Sequence, residues 1–425
     1  MQLLPGFRDF YPEDCARRNY ILTKWREVAR RYGFVEYDGP LVEPLALYEK
    51  KSGGELVGQM FTVATAAEPG VAKGALRPEM TPTLARMVAA RERDFKKPLK
   101  WFCVPNFFRH ERQQRGRLRE FYQLNCDILG EESPAADAEL AAVLIDSLRA
   151  FGLTADDFVV RLSSRNAWFG FFHEYATPKL LISDEGHDEA LYEFFQIVDK
   201  AERTPTEKTD AALAKFGLTA AQVLEFMHSK VPTAELAPII DDLSARGLGD
   251  FVEVDYAIVR GLAYYSGFVF EAFDRGKTER ALAGGGRYNA LLGFMSDGRV
   301  KLPALGFGMG DVVLANLIDD TPHAKAKLDA WLARDRACDV YVVIAKEARR
   351  DDALALVQRL REAGLRVDFP LTATKVGKQF RTAEQLGATR AVLIGDEWPQ
   401  VKVKTLATRE EVLVSPEELA ARLTA

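Results

Sequence analysis

Cysteine is scarce in this chain of 425 residues: Cys15, Cys103, Cys126 and Cys338 stand apart, and no two of them form a C-x-x-C pair. Neither a disulfide framework nor a cysteine zinc site is indicated, and buried free thiols are expected. No apolar run reaches the ~18 residues of a membrane span. The opening MQLLPGFRDF lacks the basic-then-apolar layout of a secretory signal. Asp9, Glu13 and Asp14 come too early for an organellar transit peptide, so the cytoplasm is the expected location. Internal repeats and low-complexity tracts are missing. So is a G-x-G-x-x-G stretch, and a dinucleotide site is not suggested. An overall positive charge is absent as well: the formal net charge of −5 argues against a chain that coats nucleic acid indiscriminately.

What is present suits a soluble globular protein, with 48% hydrophobic and 28% charged residues and a length that suggests roughly three domains. One stretch reverses the charge balance. Arg91 to Arg119 holds ten Lys/Arg against Glu92, Asp94 and Glu111, a local +7. That stretch is either a solvated hairpin and helix or a surface for phosphates, whose neutralisation releases counterions.

Residues 12–32 read as an amphipathic helix, with Pro12 in the first turn, Ile21, Trp25, Val28 and Tyr32 at helical spacing, and Gly33 as the stop. FVEYDGPLVEP (34–44) reads as a strand broken by Pro40. A second helix is expected from Thr81 as N-cap and Pro82 as first helical residue. Strands are expected at 101–108 and 119–128, with a long arginine-rich loop between them, then a helix at 139–151 and a strand at 157–163. From 167 to 250 the periodicity is helical, and strand patterning resumes at FVEVDYAIVRG. A helix near 311–318, with Asp311 as N-cap, closes this part. The polar segment 321–337 suits a linker. Beyond it, strand and helix alternate as in a small α/β domain with a largely parallel sheet. The expected fold class is therefore α+β: an antiparallel sheet flanked by helices, with a helical insertion and a C-terminal α/β domain.

Several residues could carry chemistry. On the 119–128 strand, Leu124, Cys126 and Ile128 fall on one face, and Phe121, Gln123, Asn125 and Asp127 on the other. The second set is either a solvated face or a site. An aromatic can stack on a purine, nearby arginines can grip phosphate, and Asp127 can pair with an ammonium group. Glu79, before a helix start, is either stabilised by the helix dipole or binds an amino group with Arg77 in support. Arg260 lies in an apolar segment and needs a carboxylate, a phosphate or solvent. Gly284, Gly285 and Gly286 make a turn or bulge, or let a ligand approach the backbone. Gly306, Gly308 and Gly310 precede a helix, a weak phosphate signal by themselves.

In order along the chain, these stretches resemble a class II aminoacyl-tRNA synthetase, specifically the histidyl-tRNA synthetase family. PGFRDFYPED resembles that family's opening. The first helix and the strand ending near Pro40 resemble motif 1, which in the family builds a homodimer interface. FRHERQQRGRLREFYQL (108–124) is similar to motif 2. RGLAYYSGFVFE and AGGGRY resemble the two histidine signatures, and 338–425 the anticodon-binding domain. The resemblance implies a catalytic core at 1–166 with 251–325, an insertion at 167–250 and a linker at 326–337. It implies histidine activation by ATP with magnesium, followed by transfer to tRNA(His). Arg109 would hold the α-phosphate, Phe121 stack on adenine, Glu111 meet the adenine edge and Arg117 reach the outer phosphates. Glu79, Gln123 and Asp127 would receive the histidine ammonium beside Thr81. Tyr264, Tyr265 and Tyr288 would border the imidazole, and Arg260 would stabilise the reacting α-phosphate and carboxylate.

Two departures stand out. Motif 3 commonly ends in G-x-E-R, whose arginine binds the γ-phosphate. Here the stretch is GMGDVVL, with Asp311 for the acid and Val312 for the arginine. The first signature commonly reads RGLDYY, and here Ala263 replaces the aspartate. Arg117 is therefore expected to carry more of the outer-phosphate load. The competing reading is a non-catalytic histidine-sensing regulatory subunit of ATP phosphoribosyltransferase. Such subunits typically lack the C-terminal domain that this chain has. A prolyl or threonyl enzyme would leave the histidine signatures unexplained.

Overall fold

The apolar–polar alternation at 119–128 produces a ten-residue strand, Glu120–Leu129, around which the larger sheet is assembled. The computed structural model describes residues 2–49, 58–64, 70–112, 114–176, 184–259, 265–276 and 279–424. These fall into two compact units, Met1–Leu328 and Asp329–Ala425. In chain order the strands of the first unit are β1 Val35–Glu36, β2 Val42–Pro44, β3 Thr62–Ala64, β4 Ala72–Leu76, β5 Leu99–Cys103 and β6 Asn106–Phe108. They continue as β7 Glu120–Leu129, β8 Phe158–Ser164, β9 Val252–Val254, β10 Phe268–Asp274, β11 Ala283–Arg287 and β12 Ala304–Gly310.

Nine of these strands form one sheet in the order β1-β5-β7-β12-β11-β10-β8-β9, with β6 also paired to β7. Pairing is parallel only at the two ends, β1 with β5 and β8 with β9. The centre is antiparallel. Leu124, Cys126 and Ile128 of β7 are buried, and helices Pro12–Arg31 and Pro134–Arg149 pack against this strand. Cys103, Cys126 and Cys338 are buried free thiols, while Cys15 is partly exposed.

Prolines shape the edges. Residues 34–44 divide at Gly39–Pro40 between two sheets, β1 in the large one and β2 in a three-stranded sheet with β4 and β3. The 101–108 stretch likewise breaks at Pro105 into β5 and β6, because proline cannot donate to a ladder. Helix Pro134–Arg149 starts earlier than the expected 139, with Pro134 at the first helical position after Ser133. The helical block contains Arg165–Tyr175, Asp184–Val198, Thr206–Leu213, Ala220–Met227 and Ala237–Ala245. Trp168 fastens it to the sheet side, its Nε1 donating to the Tyr256 carbonyl at 3.0 Å. The stretch expected as a 326–337 linker begins inside a helix, Pro322–Leu332, whose Ala324 and Leu328 are buried. Two small apolar positions among polar ones gave little periodic signal for it.

The second unit has a five-stranded sheet, with strands β13 Val340–Ile344, β14 Val367–Asp368, β15 Arg390–Ile394, β16 Val401–Thr405 and β17 Glu411–Val414. Only β14, β13 and β15 are parallel. The antiparallel pairs β15–β16 and β16–β17 correct the expectation of a largely parallel sheet. Val401 and Val403 point inward, and Lys404 pairs with Glu411 at 2.8 Å, a half-buried alternation that VKVKT does display.

Behind the larger sheet, Arg287 of β11 forms a buried fork with Asp137, Nε to Oδ1 at 2.8 Å and Nη2 to Oδ2 at 2.9 Å. Its remaining donors reach the Glu131 and Ser133 carbonyls at 3.1 and 3.0 Å. Removing one partner strands a buried charge, so Asp137→Ala should lower unfolding free energy by about 3–5 kcal/mol. Urea denaturation checks this, and a loss below about 1 kcal/mol, the worth of an exposed pair, would contradict it.

Candidate active site

Where β7 meets β12, Gly306 lies opposite Asp127, Gly308 opposite Asn125 and Gly310 opposite Gln123. These glycines clear space for β7 side chains. A Cβ at 306 would lie 2.0 Å from Asp127 Oδ1, and one at 308 would lie 2.6 Å from Gln123 Nε2. The result is a cavity of about 180 Å³ lined by Glu79, Thr81, Gln123, Asn125, Asp127, Tyr265 and Tyr288, among others. Asp127 is buried and its Oδ1 accepts a hydrogen bond from the Tyr288 hydroxyl at 2.5 Å. Six expected residues, Glu79, Thr81, Gln123, Asp127, Tyr265 and Tyr288, thus come together. Arg260 and Tyr264 lie outside the described residues.

A second cavity, of about 770 Å³, adjoins the first and shares Arg109, Gln123, Gly284 and Gly308 with it. Its walls include Glu111, Arg117 and Phe121, together with Glu271, Arg280 and Val312. Arg109 Nε donates to the Pro78 carbonyl at 2.8 Å, and its guanidinium carbon lies 5.3 Å from the Phe121 ring centroid. Glu111 Oε2 is 2.5 Å from Arg117 Nη1, and its Oε1 is 4.0 Å from Arg109. The loop between β6 and β7 is tied down by Arg115, which pairs with Glu279 at 2.6 Å and with Asp320 at 2.9 Å. Burial, opposed by Arg8, pushes the Asp311 carboxyl above the usual carboxylate range. Burial and the facing Arg117 lower the Arg280 guanidinium from its usual value.

Several local expectations change. Thr81 does not cap its helix: Met80 occupies that position, without a side-chain cap bond, and Thr81 lines the small cavity. Asp311 is not a cap either, since Gly310 precedes the Asp311–Asp320 helix. Its carboxylate accepts from Arg8 at 2.9 Å and from the Tyr122 amide at 2.9 Å, joining helix, strand and N-terminal segment. The 284–286 glycines form neither a turn nor a bulge. They run in register through β11, between β10 and β12. A Cβ at 285 would meet the Gly306 carbonyl oxygen at 2.2 Å. Arg77 is structural in its contacts, bonding Asp38, Gly39 and the Asn106 carbonyl. Glu271 and Arg280 were not among the expected site residues. Strand alternation could have pointed to Glu271, but Arg280 lies in a polar connection with no motif.

A small polar chamber opening onto a larger one lined by arginines and an aromatic suits two reactants that must meet. One is compact and hydrogen-bonding, and the other is anionic with a flat ring. Together with the antiparallel sheet, this defines a class II aminoacyl-tRNA synthetase type of catalytic unit.

A histidyl-tRNA synthetase family model matches residues 6–310, and an anticodon binding domain model matches residues 339–425. The chain is 43% identical to a histidine–tRNA ligase of Opitutus terrae, over 99% of this chain and 97% of that protein. It is 33% identical to one of Leptospira biflexa, over 95% and 92% respectively. In fold it is similar to the crystal structure of histidyl-tRNA synthetase from Nostoc sp. PCC 7120, with a TM-score of 0.77 and 24% identity, covering 100% of this chain and 98% of that one. The chain belongs to the histidyl-tRNA synthetase family.

The glycine clearances predict different outcomes for two substitutions. Gly285→Ala drives a Cβ into β12 backbone and should cost about 3 kcal/mol, the upper end of ordinary overpacking. Gly308→Ala meets only the end of a flexible glutamine and should cost about 1 kcal/mol or less. Thermal unfolding of both variants checks the order, and equal losses would refute it.

Proposed function

We propose that this chain activates L-histidine with ATP, giving histidyl-adenylate and pyrophosphate, and then transfers histidine to tRNA(His). The observation that carries the site assignment is the pair of adjoining cavities sharing Arg109, Gln123, Gly284 and Gly308. Histidine occupies the smaller one. Its ammonium group meets Glu79, Gln123 and Asp127 beside Thr81, and Tyr264, Tyr265 and Tyr288 border the imidazole. ATP occupies the larger one, with adenine on Phe121 near Glu111, the α-phosphate at Arg109 and the outer phosphates at Arg117.

A histidine carboxylate oxygen attacks the α-phosphorus in line, and the bond to the β-phosphate oxygen breaks as pyrophosphate leaves. A terminal ribose hydroxyl of tRNA then attacks the acyl carbon and AMP departs. No side-chain nucleophile is required. Arg260 and Arg109 act by positioning and by stabilising charge on the reacting phosphate.

Among the described residues no three metal-ligating side chains cluster. Magnesium would be held mainly by ATP phosphates and water, with Glu271 as a carboxylate of this cavity available to it. When bound, the ion would neutralise charge on the departing pyrophosphate.

In this reading 1–166 with 251–325 form the activating core, 167–250 the insertion, 326–337 the link and 338–425 the anticodon-reading domain. The enzyme works in the cytoplasm as a homodimer. In support of dimerisation, Leu3, Leu4, Tyr11, Val35, Leu41, Val42 and Val71 are exposed large hydrophobics concentrated in the first 71 residues. No described helix is long and apolar enough to cross a membrane.

Histidine-dependent exchange of labelled pyrophosphate into ATP tests the reaction. Arg260→Ala should slow it by about 100-fold or more, the typical loss of one transition-state donor. No exchange by a chain that binds histidine would overturn the proposal. Arg117→Ala should raise the ATP concentration needed for half-maximal exchange about 10-fold, as expected for losing a charge-assisted bond. Unaltered ATP dependence would remove Arg117 from the assigned role.

A further inference from the structure

Four arginines, Arg109, Arg117, Arg203 and Arg280, line the larger cavity, and three of them differ in what they contact. Arg109 is engaged by the Pro78 carbonyl and lies over Phe121. Arg117 is paired with Glu111 at 2.5 Å. Arg280, exposed at the same cavity, forms no ion pair with any described residue. Burial, and after it the charge of Arg117, lowers the Arg280 guanidinium from its usual value, and Glu111 opposes that shift. Arg280 thus presents to the cavity a guanidinium with no ion-pair partner among the described residues, able to take an anion by charge-assisted hydrogen bonds. Val312, on the same cavity wall, offers only methyl groups.

Arg280 is also held in place. The preceding residue, Glu279, has a buried carboxylate. It takes Arg115 Nε at 2.6 Å and Asn316 Nδ2 at 3.4 and 3.5 Å. Its amide donates to Asp274 Oδ1 at 3.1 Å. The β10–β11 connection is therefore fastened to the Asp311–Asp320 helix and to the β6–β7 loop, one residue before Arg280.

We propose that Arg280 binds the outer phosphates of ATP, supplying from the β10–β11 connection the cation that position 312 lacks. This rests on the ATP site assigned above, and its test separates the two. ATP and AMP are titrated calorimetrically into the full chain, unaltered and as Arg280→Ala. The expected result is ATP binding weaker by about 10- to 100-fold, the range for a hydrogen bond to a charged group, with AMP binding unchanged. Arg280→Gln, which keeps a polar amide donor without the charge, should give the same split. Arg280→Lys should retain most of the ATP affinity. Equal loss for ATP and AMP, or no loss for ATP, overturns the assignment of Arg280 while leaving the proposed function standing. Failure of the unaltered chain to bind ATP overturns both.

Discussion

At the pairing of β7 with β12, any side chain at 306 would collide with the Asp127 carboxylate, 2.0 Å from an added Cβ. Asp127 can therefore stand in the middle of the sheet only because its cross-strand neighbour is bare. The same relation repeats at 308, where the space is taken by Gln123. The remaining geometry follows from this clearance. With Asp127 upright, the Tyr288 hydroxyl reaches it, while the Tyr288 amide bonds the Ala304 carbonyl at 2.7 Å beside the same strand. Close-packed interiors leave few such voids, so a cavity at the centre of a continuous sheet needs missing side chains rather than flexible ones.

Charge is distributed by function as well as by partner. The buried or half-buried pairs Arg287–Asp137, Arg8–Asp311 and Arg86–Glu43 lie outside the two cavities. Each joins segments distant in sequence, and around Arg287 several donors are satisfied. Their worth is specificity of arrangement, since desolvation cancels much of the attraction. The cavity arginines Arg109 and Arg117 have side chains 28% and 40% exposed, much like Arg8 and Arg86 in those pairs. They keep much of their hydration in the free protein. A polyanion entering the cavity would exchange water for charge-assisted bonds, and at Arg117 it would compete with the pair to Glu111.

Much of this was legible in the sequence where one local period decided the outcome. The alternation at 119–128 separated Leu124, Cys126 and Ile128 from Phe121, Gln123, Asn125 and Asp127, and the two sets do occupy core and cavity. Helix Pro12–Arg31 was equally plain, because proline, apolar spacing and glycine agreed. The failures occurred where tertiary partners decide. Asp311 has the chemistry of a cap, yet Arg8 and the Tyr122 amide claim its carboxylate. Three adjacent glycines read as a turn or a ligand contact; they are strand instead of turn, with Gly285 letting β12 approach and Gly284 lining both cavities. Arg260 and Tyr264, assigned through family likeness, lie outside the described residues, so their roles rest on that likeness alone. Arg280 had no signal at all, since a single arginine in a polar connection has the composition of any exposed loop.

The proposed role of Arg280 would let a phosphate site tolerate valine where the family commonly has arginine. Electrostatic attraction depends on where a charge lies and on the local dielectric, being about 4 kcal/mol for unit charges 4 Å apart at an effective dielectric of 20. It does not depend on which segment delivers the charge. A helix start and a strand connection that border one cavity are thus interchangeable sources of a guanidinium, provided that the connection is held. Here the hold runs through Glu279, whose buried carboxylate is gripped by Arg115 from the β6–β7 loop. The same loop carries Arg117. Ordering that loop therefore sets both cations together, whereas a guanidinium on the rigid helix start would be set independently of it. On the proposed assignment of Arg117 and Arg280, valine at 312 would move the outer-phosphate grip from a helix start to a pair of connections that depend on each other.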